Sequence, residues 1–218
     1  MTAKTPIDVS TWVRREHFEH YRSRVPCTYS VTAELDVTAF VSAAREAGRK
    51  TYPSQIWAIA SVVNRHEEFR ITLDAEGNPW VWDVVHPSFT VFNPARETFA
   101  SVWADYDPVF SRFHDNAAAL LATQRDSTRM FPQGTPPENI FDISSLPWMH
   151  FTGFDLHISG GYDHYLPIFT LGQYAQRDGR TLMPFVVQAH HAVADGFHTA
   201  RLVSELGDLF ATAQQWLR

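Results

Sequence analysis

Three of the chain's eleven histidines lie within Gln188–His198, reading QAHHAVADGFH. Asp195 and Gly196 share that stretch. The residue types allow three kinds of chemistry. Each histidine can be a structural ring packed near a strand end. Histidines with a carboxylate can also ligate zinc, and a catalytic zinc needs three protein ligands and an open position. Adjacent residues on a strand point to opposite faces, however, so His190 and His191 reach one ion only across a sharp bend. In the third reading His191 is a general base. Neutral imidazole is abundant at pH 7, because the unperturbed pKa is near 6.5, and it can take the proton of a hydroxyl attacking an acyl group. Asp195 would then orient the ring or brace the loop, and Gly196 would permit the turn. His190, on the opposite strand face, and His198, in the first turn of a helix, read as structural.

The elements around these residues follow from periodicity. TLMPFVVQAHHAV reads as a strand running into the histidines. Val203, Leu206, Phe210, Ala213 and Leu217 form one helical stripe after them. Asp178-Gly179 turns between that strand and PIFTLGQYAQ. Upstream, Trp12 to Arg24 reads as a short charged helix ended by Pro26, and Cys27 to Val37 as a strand. A helix from Val37 closes at Gly48. The next helix, with Pro53 in its first turn, is apolar nearly all round through Val63, as buried helices are. ITL and PWVWDVV flank the turn DAEGNP, which predicts a hairpin. SFTVF is a further β-like run, and Asp107-Pro108 starts another helix. Phe154, Leu156 and Ile158 alternate with Asp155, His157 and Ser159, which predicts a half-buried strand. Hairpins mixed with helices, without strict βαβ alternation, imply an α/β sandwich with a mixed or mostly antiparallel sheet.

With 218 residues and no internal repeat or long linker, the chain reads as one domain, 1–218. A net charge of −6 with no basic block speaks against nucleic-acid binding. No apolar run approaches the roughly 18 residues of a membrane span. MTAKTPIDVSTW lacks the apolar core of a signal peptide. The single cysteine, Cys27, has no partner for an internal disulfide. Together these features point to the cytoplasm.

HHAVADGFH matches the HHxxxDG pattern of CoA-dependent acyltransferases. The wider string resembles the signature of the chloramphenicol acetyltransferase family. WVRREHFEHYR, VWDVVHPSFTVF, ETFAS, FPQGTPPEN, ISSLPW and PIFTLGQY extend the resemblance over essentially the whole chain. It implies a two-layer α/β sandwich, a mixed and mostly antiparallel sheet covered by helices, assembled as a homotrimer. Its active sites would lie between subunits, one supplying the histidine and the other much of the acceptor pocket.

The resemblance implies direct acetyl transfer from acetyl-CoA, as co-substrate, to the 3-hydroxyl of chloramphenicol. His191 matches the base. Ser144 matches the oxyanion-stabilising serine, although Ser144 before Pro147 taken alone reads as a turn residue. Thr170 contributes to the same region. Asp195 matches a structural aspartate paired with Arg14, and the histidine's own carbonyl holds the imidazole. Tyr21, Cys27, Phe99 and Leu156 match acceptor-pocket positions, and Tyr174 and Trp148 match positions along the CoA path. No metal is implied. Ala194, His20 and Val25 depart from residues common in the family and remove no catalytic group. Two other functions remain open: a same-fold acetyltransferase for another hydroxylated acceptor, and a non-catalytic trimer that sequesters the drug.

Overall fold

The computed structural model describes residues 3–157 and 163–217. Among them are ten strands and five α-helices. Strand β2 (Thr28–Asp36) leads into α2 (Thr38–Glu46) and α3 (Thr51–Val63). A small sheet follows, in which β4 (Pro79–Trp82) lies between β3 (Ile71–Leu73) and the N-terminal β1 (Lys4–Pro6). The main sheet takes β5 (His86–Asn93), β6 (Thr98–Trp103), β7 (Ile140–Leu146), β8 (Ile168–Gly172), β9 (Ala175–Arg177) and β10 (Arg180–His190). Helix α4 (Phe110–Thr123) separates β6 from β7, and α5 (Gly196–Ala211) closes the chain.

The main sheet runs β2-β10-β8-β7-β5-β6, with β9 added beside β10. The β5–β7 and β7–β8 pairs are parallel, and the remaining pairs are antiparallel. The sheet is therefore mixed and mostly antiparallel, as the hairpin signals implied. Asp178 and Gly179 both have positive φ, at 52° and 73°, which is the backbone demanded by the two-residue β9–β10 turn.

Strand alternation divides the sheet into two faces. One carries Phe141, Ile143, Phe169, Leu171, Phe185 and Val187, all fully or almost fully buried. Phe169 stacks on Phe185 at 5.5 Å and meets Phe141 edge-on at 5.8 Å. Helices α2, α3 and α5 pack on β10, β5 and β2. The mostly apolar α3 is buried from Pro53 to Val63, because both the sheet and its neighbouring helices cover it. The other face of the sheet is more polar, and Ser88, Asp142, Ser144, Thr170 and Gln188 share it by register with Val186 and Ile168.

Two expectations need correction. Phe154–His157 form no strand, and Ile158 and Ser159 lie outside the described residues. The alternation there comes from a segment crossing the polar face of the sheet, where a side chain, Gln188, pairs with its backbone. Trp12–Arg24 is also not one regular helix. Helix α1 spans only Arg15–Glu19, and a π-helical turn, His20–Arg24, follows. A π turn widens the helix and redirects its side chains, and Tyr21 sits in it.

Candidate active site

His191 is the first residue beyond β10, where the strand can no longer continue. Its amide donates to the Cys27 carbonyl at 3.0 Å, one residue before β2, and so holds the two strand ends together. Val193 and Ala194 then donate to the His190 carbonyl, folding the chain into a tight turn. Arg14 grips this turn from outside with three nitrogens. Nε donates to the Ala192 carbonyl at 3.0 Å, Nη2 to the His191 carbonyl at 3.0 Å, and Nη1 to Asp195 Oδ2 at 2.8 Å. A planar guanidinium presents donors in a fixed fork, so it defines the turn's shape as well as its charge.

Asp195 is the N-cap of α5. Its carboxylate accepts from the Phe197 amide, and its own amide donates to His198 Nδ1, closing a capping box. Burial alone would raise the Asp195 carboxyl. The Arg14 hydrogen bond, the nearby His198 and the Phe197 amide outweigh it and hold the pKa down at about 2. The His191 ring is not among these partners. The Asp195 carboxylate contacts Arg14 and the start of α5.

The His191 ring lies flat on Tyr21, with centroids 3.9 Å apart and planes 6° from parallel. Tyr29 meets it edge-on at 5.2 Å, and the Tyr29 hydroxyl is itself held by Thr199 at 2.7 Å. Among the described residues, the buried Nδ1 of His191 has no hydrogen-bond partner. The expected hold by the residue's own carbonyl is not formed here, and that carbonyl accepts from Arg14 instead. His191 as a residue is half-buried.

His190 points the other way. It is 2 % exposed, packs on Tyr165 at 4.3 Å, and accepts the Ala192 amide at Nδ1. Burial, with a smaller push from His191, overcomes the opposing Asp163 charge and lowers its pKa to about 4. His190 is therefore neutral at pH 7. The adjacent imidazoles have separate surroundings and do not converge on one point. Among the described residues no group of three His, Cys, Asp or Glu could hold a metal ion.

Cys27 is half-buried, and burial raises its thiol pKa, which keeps it protonated and poorly nucleophilic near neutral pH. Ser144 belongs to strand β7 and not to a turn, a correction that its pairing with Thr170 on β8 explains. It sits opposite Thr170, on the polar face. Ser145 sits opposite Leu171, on the face that the helices cover. A cavity of about 550 Å³ is lined by Ser144 together with Tyr52, Phe99 and Trp148. Trp148 packs edge-on to Phe92 at 4.6 Å. Burial pushes the Tyr174 phenol up to about 12, and Gln55 Nε2 donates to its hydroxyl at 2.8 Å.

The sequence-selected residues therefore fall into separate groups within one chain. His191, Tyr21, Cys27, Arg14 and Asp195 gather at the end of β10. Ser144, Phe99 and Trp148 share the cavity, with Thr170 beside Ser144. Leu156 lies on the polar face against Gln188. Register links Ser144 to Thr170 and Thr170 to Val186. His191 lies five residues beyond Val186, so strand geometry places it on the order of 19 Å from Ser144. Sequence reasoning missed Tyr29, Tyr52, Gln55 and Gln188. Each is an ordinary strand or helix residue in a core-like pattern, and only packing reveals its neighbours.

Residues 2–207 match the family model described as chloramphenicol acetyltransferase. A chloramphenicol acetyltransferase of Streptomyces acrimycini is 64% identical over 206 residues, covering 94% of both chains. Chloramphenicol acetyltransferase 2 of Haemophilus influenzae is 45% identical over 202 residues, covering 93% of this chain and 94% of its own. A solved chloramphenicol acetyltransferase superposes with a TM-score of 0.87 at 21% identity, over 95% of this chain and all of its own. The dihydrolipoamide acetyltransferase of Azotobacter vinelandii shares the fold more distantly, with a TM-score of 0.68 at 20% identity over 91% and 87% of the two chains. A full-length match of this quality, on a fold that ends a strand in HHAVADG, means that the chain belongs to the chloramphenicol acetyltransferase family.

Proposed function

We infer that this protein transfers the acetyl group of acetyl-CoA to the 3-hydroxyl of chloramphenicol, inactivating the antibiotic. The observation that carries this reading is the seat of His191. The ring is pinned flat on Tyr21, its Nδ1 is buried, and its backbone is fixed by Arg14 and Cys27. For this ring to act as the base through Nε2, its neutral form must carry the proton on Nδ1.

Nε2 takes the proton of the acceptor hydroxyl as that oxygen attacks the thioester carbonyl. The carbonyl oxygen gains charge in the tetrahedral intermediate, and the Ser144 hydroxyl is suited to donate to it. Collapse breaks the carbon–sulfur bond. The imidazolium returns its proton to the departing CoA thiolate, and no acyl-enzyme is needed.

His191 and Ser144 of one chain are too far apart to meet on one carbonyl. This favours a site assembled between copies, and the homotrimer implied by the resemblance supplies one. Phe99, Tyr21, Cys27 and Leu156 then line the acceptor side, and Trp148 and Tyr174 the CoA side. The reading places the enzyme in the cytoplasm, where acetyl-CoA is available. No helix among the described residues is long and apolar enough to cross a membrane.

Thiol release from acetyl-CoA, with and without chloramphenicol, tests the reading. Wild-type release should depend on chloramphenicol, and His191→Ala should lower it by roughly two to four orders of magnitude or more. Release that other alcohols support and chloramphenicol does not would assign a different acceptor. Drug binding without any release would make the protein a sequestering one.

A further inference from the structure

Gln188 is 3 % exposed on β10, on the polar face that also carries Ser144 and Thr170. A buried amide must find partners for both its donor and its acceptor. Gln188 finds them on one residue. Its Nε2 donates to the Leu156 carbonyl at 3.2 Å, and its Oε1 accepts the Leu156 amide at 3.3 Å. The side chain thus does for Leu156 what the peptide of a neighbouring strand would do. Ser30, directly across β2 from Gln188, extends the clamp. Its hydroxyl donates to Asp155 Oδ1 at 2.6 Å and lies 3.4 Å from Gln188 Oε1.

Residues Phe154–His157 form no regular element, so these contacts, together with Phe154 packed on Phe151 at 5.7 Å, hold the segment on the sheet. Leu156 remains 38% exposed there. His191 follows Gln188 on the same chain, three residues on and immediately past the strand end. A single rigid strand therefore carries both the catalytic ring and the anchor of the Leu156 segment.

We propose that Gln188 is a positioning residue for the acceptor pocket, setting where Leu156 meets the acceptor through the paired hydrogen bonds to its backbone. The proposal rests on the acetyltransferase reading and on the place that reading gives Leu156. Gln188 touches neither the acceptor nor CoA, and its effect belongs to acceptor binding alone.

Gln188→Met keeps the volume and removes both bonds. Ser30→Ala removes the outer part of the clamp without leaving an unpaired amide. Each variant is to be compared with wild type by varying chloramphenicol and acetyl-CoA separately, with a melting curve alongside. Gln188→Met should raise the KM for chloramphenicol roughly tenfold and leave kcat and the KM for acetyl-CoA within about twofold, and Ser30→Ala should give the same split at roughly threefold. An unchanged chloramphenicol KM in both variants would overturn the proposal. So would a parallel rise in both KM values with a lowered melting temperature, since that marks general loosening. If Gln188→Met does not fold, Ser30→Ala decides alone. A wild type with no chloramphenicol-dependent turnover would instead overturn the underlying reading, and this proposal with it.

Discussion

A histidine becomes a useful base when its ring cannot drift and one nitrogen faces the reactant. At His191 three different forces secure this. The Tyr21 stack fixes the plane of the ring, the Cys27 carbonyl fixes the amide, and Arg14 fixes the carbonyl. Ser144 has a simpler task. A strand residue paired with its neighbour, here Thr170 on β8, moves little, so under the proposed mechanism its hydroxyl is in place before charge develops. Preorganised donors of this kind act on the transition state more than on bound substrate. Ser144→Ala should therefore lower kcat roughly a hundredfold and leave KM values nearly unchanged. Steady-state kinetics check this, and an effect confined to KM would remove the oxyanion role. Ser145→Ala, on the covered face, should leave kcat near wild type.

At the scale of elements, the β10–α5 junction is a turn whose carbonyls are held by one arginine and whose helix is capped by one aspartate. The folded pKa of Asp195, about 2, lies below its ordinary value of 3.8. The stability it contributes is thus fully present above pH 3.8 and is lost as pH falls through 2. Melting curves between pH 5 and 2 should fall less steeply for Asp195→Asn than for wild type, and Asp195→Asn should melt lower at pH 7. Lost turnover with unchanged melting would instead make Asp195 a direct participant.

Sequence reading reached some of these elements and missed others for physical reasons. The α3 helix was legible because burial on all sides leaves a run that is apolar nearly all round. The β9–β10 hairpin was legible because Asp-Gly suits the turn. The alternation at Phe154–His157 misled, because a segment held by a glutamine side chain can alternate as a strand does. Ser144 looked like a turn residue because Pro147 follows closely, and the strand partners that override that signal lie far along the chain. Periodicity alone does not reach the pairing of Arg14 with Asp195. Their separation of 181 residues left it to the family resemblance, and the fold brings the two groups to 2.8 Å.

At the scale of the molecule, the polar face of the sheet and the separate seats of His191 and Ser144 fit a catalyst completed by neighbouring copies. This has a clear genetic signature. Co-expressed His191→Ala and Ser144→Ala chains, each nearly inactive alone, should regain about a quarter of the wild-type rate by random pairing in a cyclic assembly. Activity in the purified mixed oligomer measures this directly. No recovery would put both residues in the same chain's site.

The flat stack of Tyr21 on His191 also has a spectroscopic consequence. A proton held over the face of an aromatic ring is shielded by the ring's circulating electrons. The His191 ring resonances should therefore stand upfield of those of histidines that lie against no aromatic ring. They should move to ordinary positions in Tyr21→Leu. The protonation of the base can then be followed at its own carbon-bound proton, with no substrate present and no turnover to interpret.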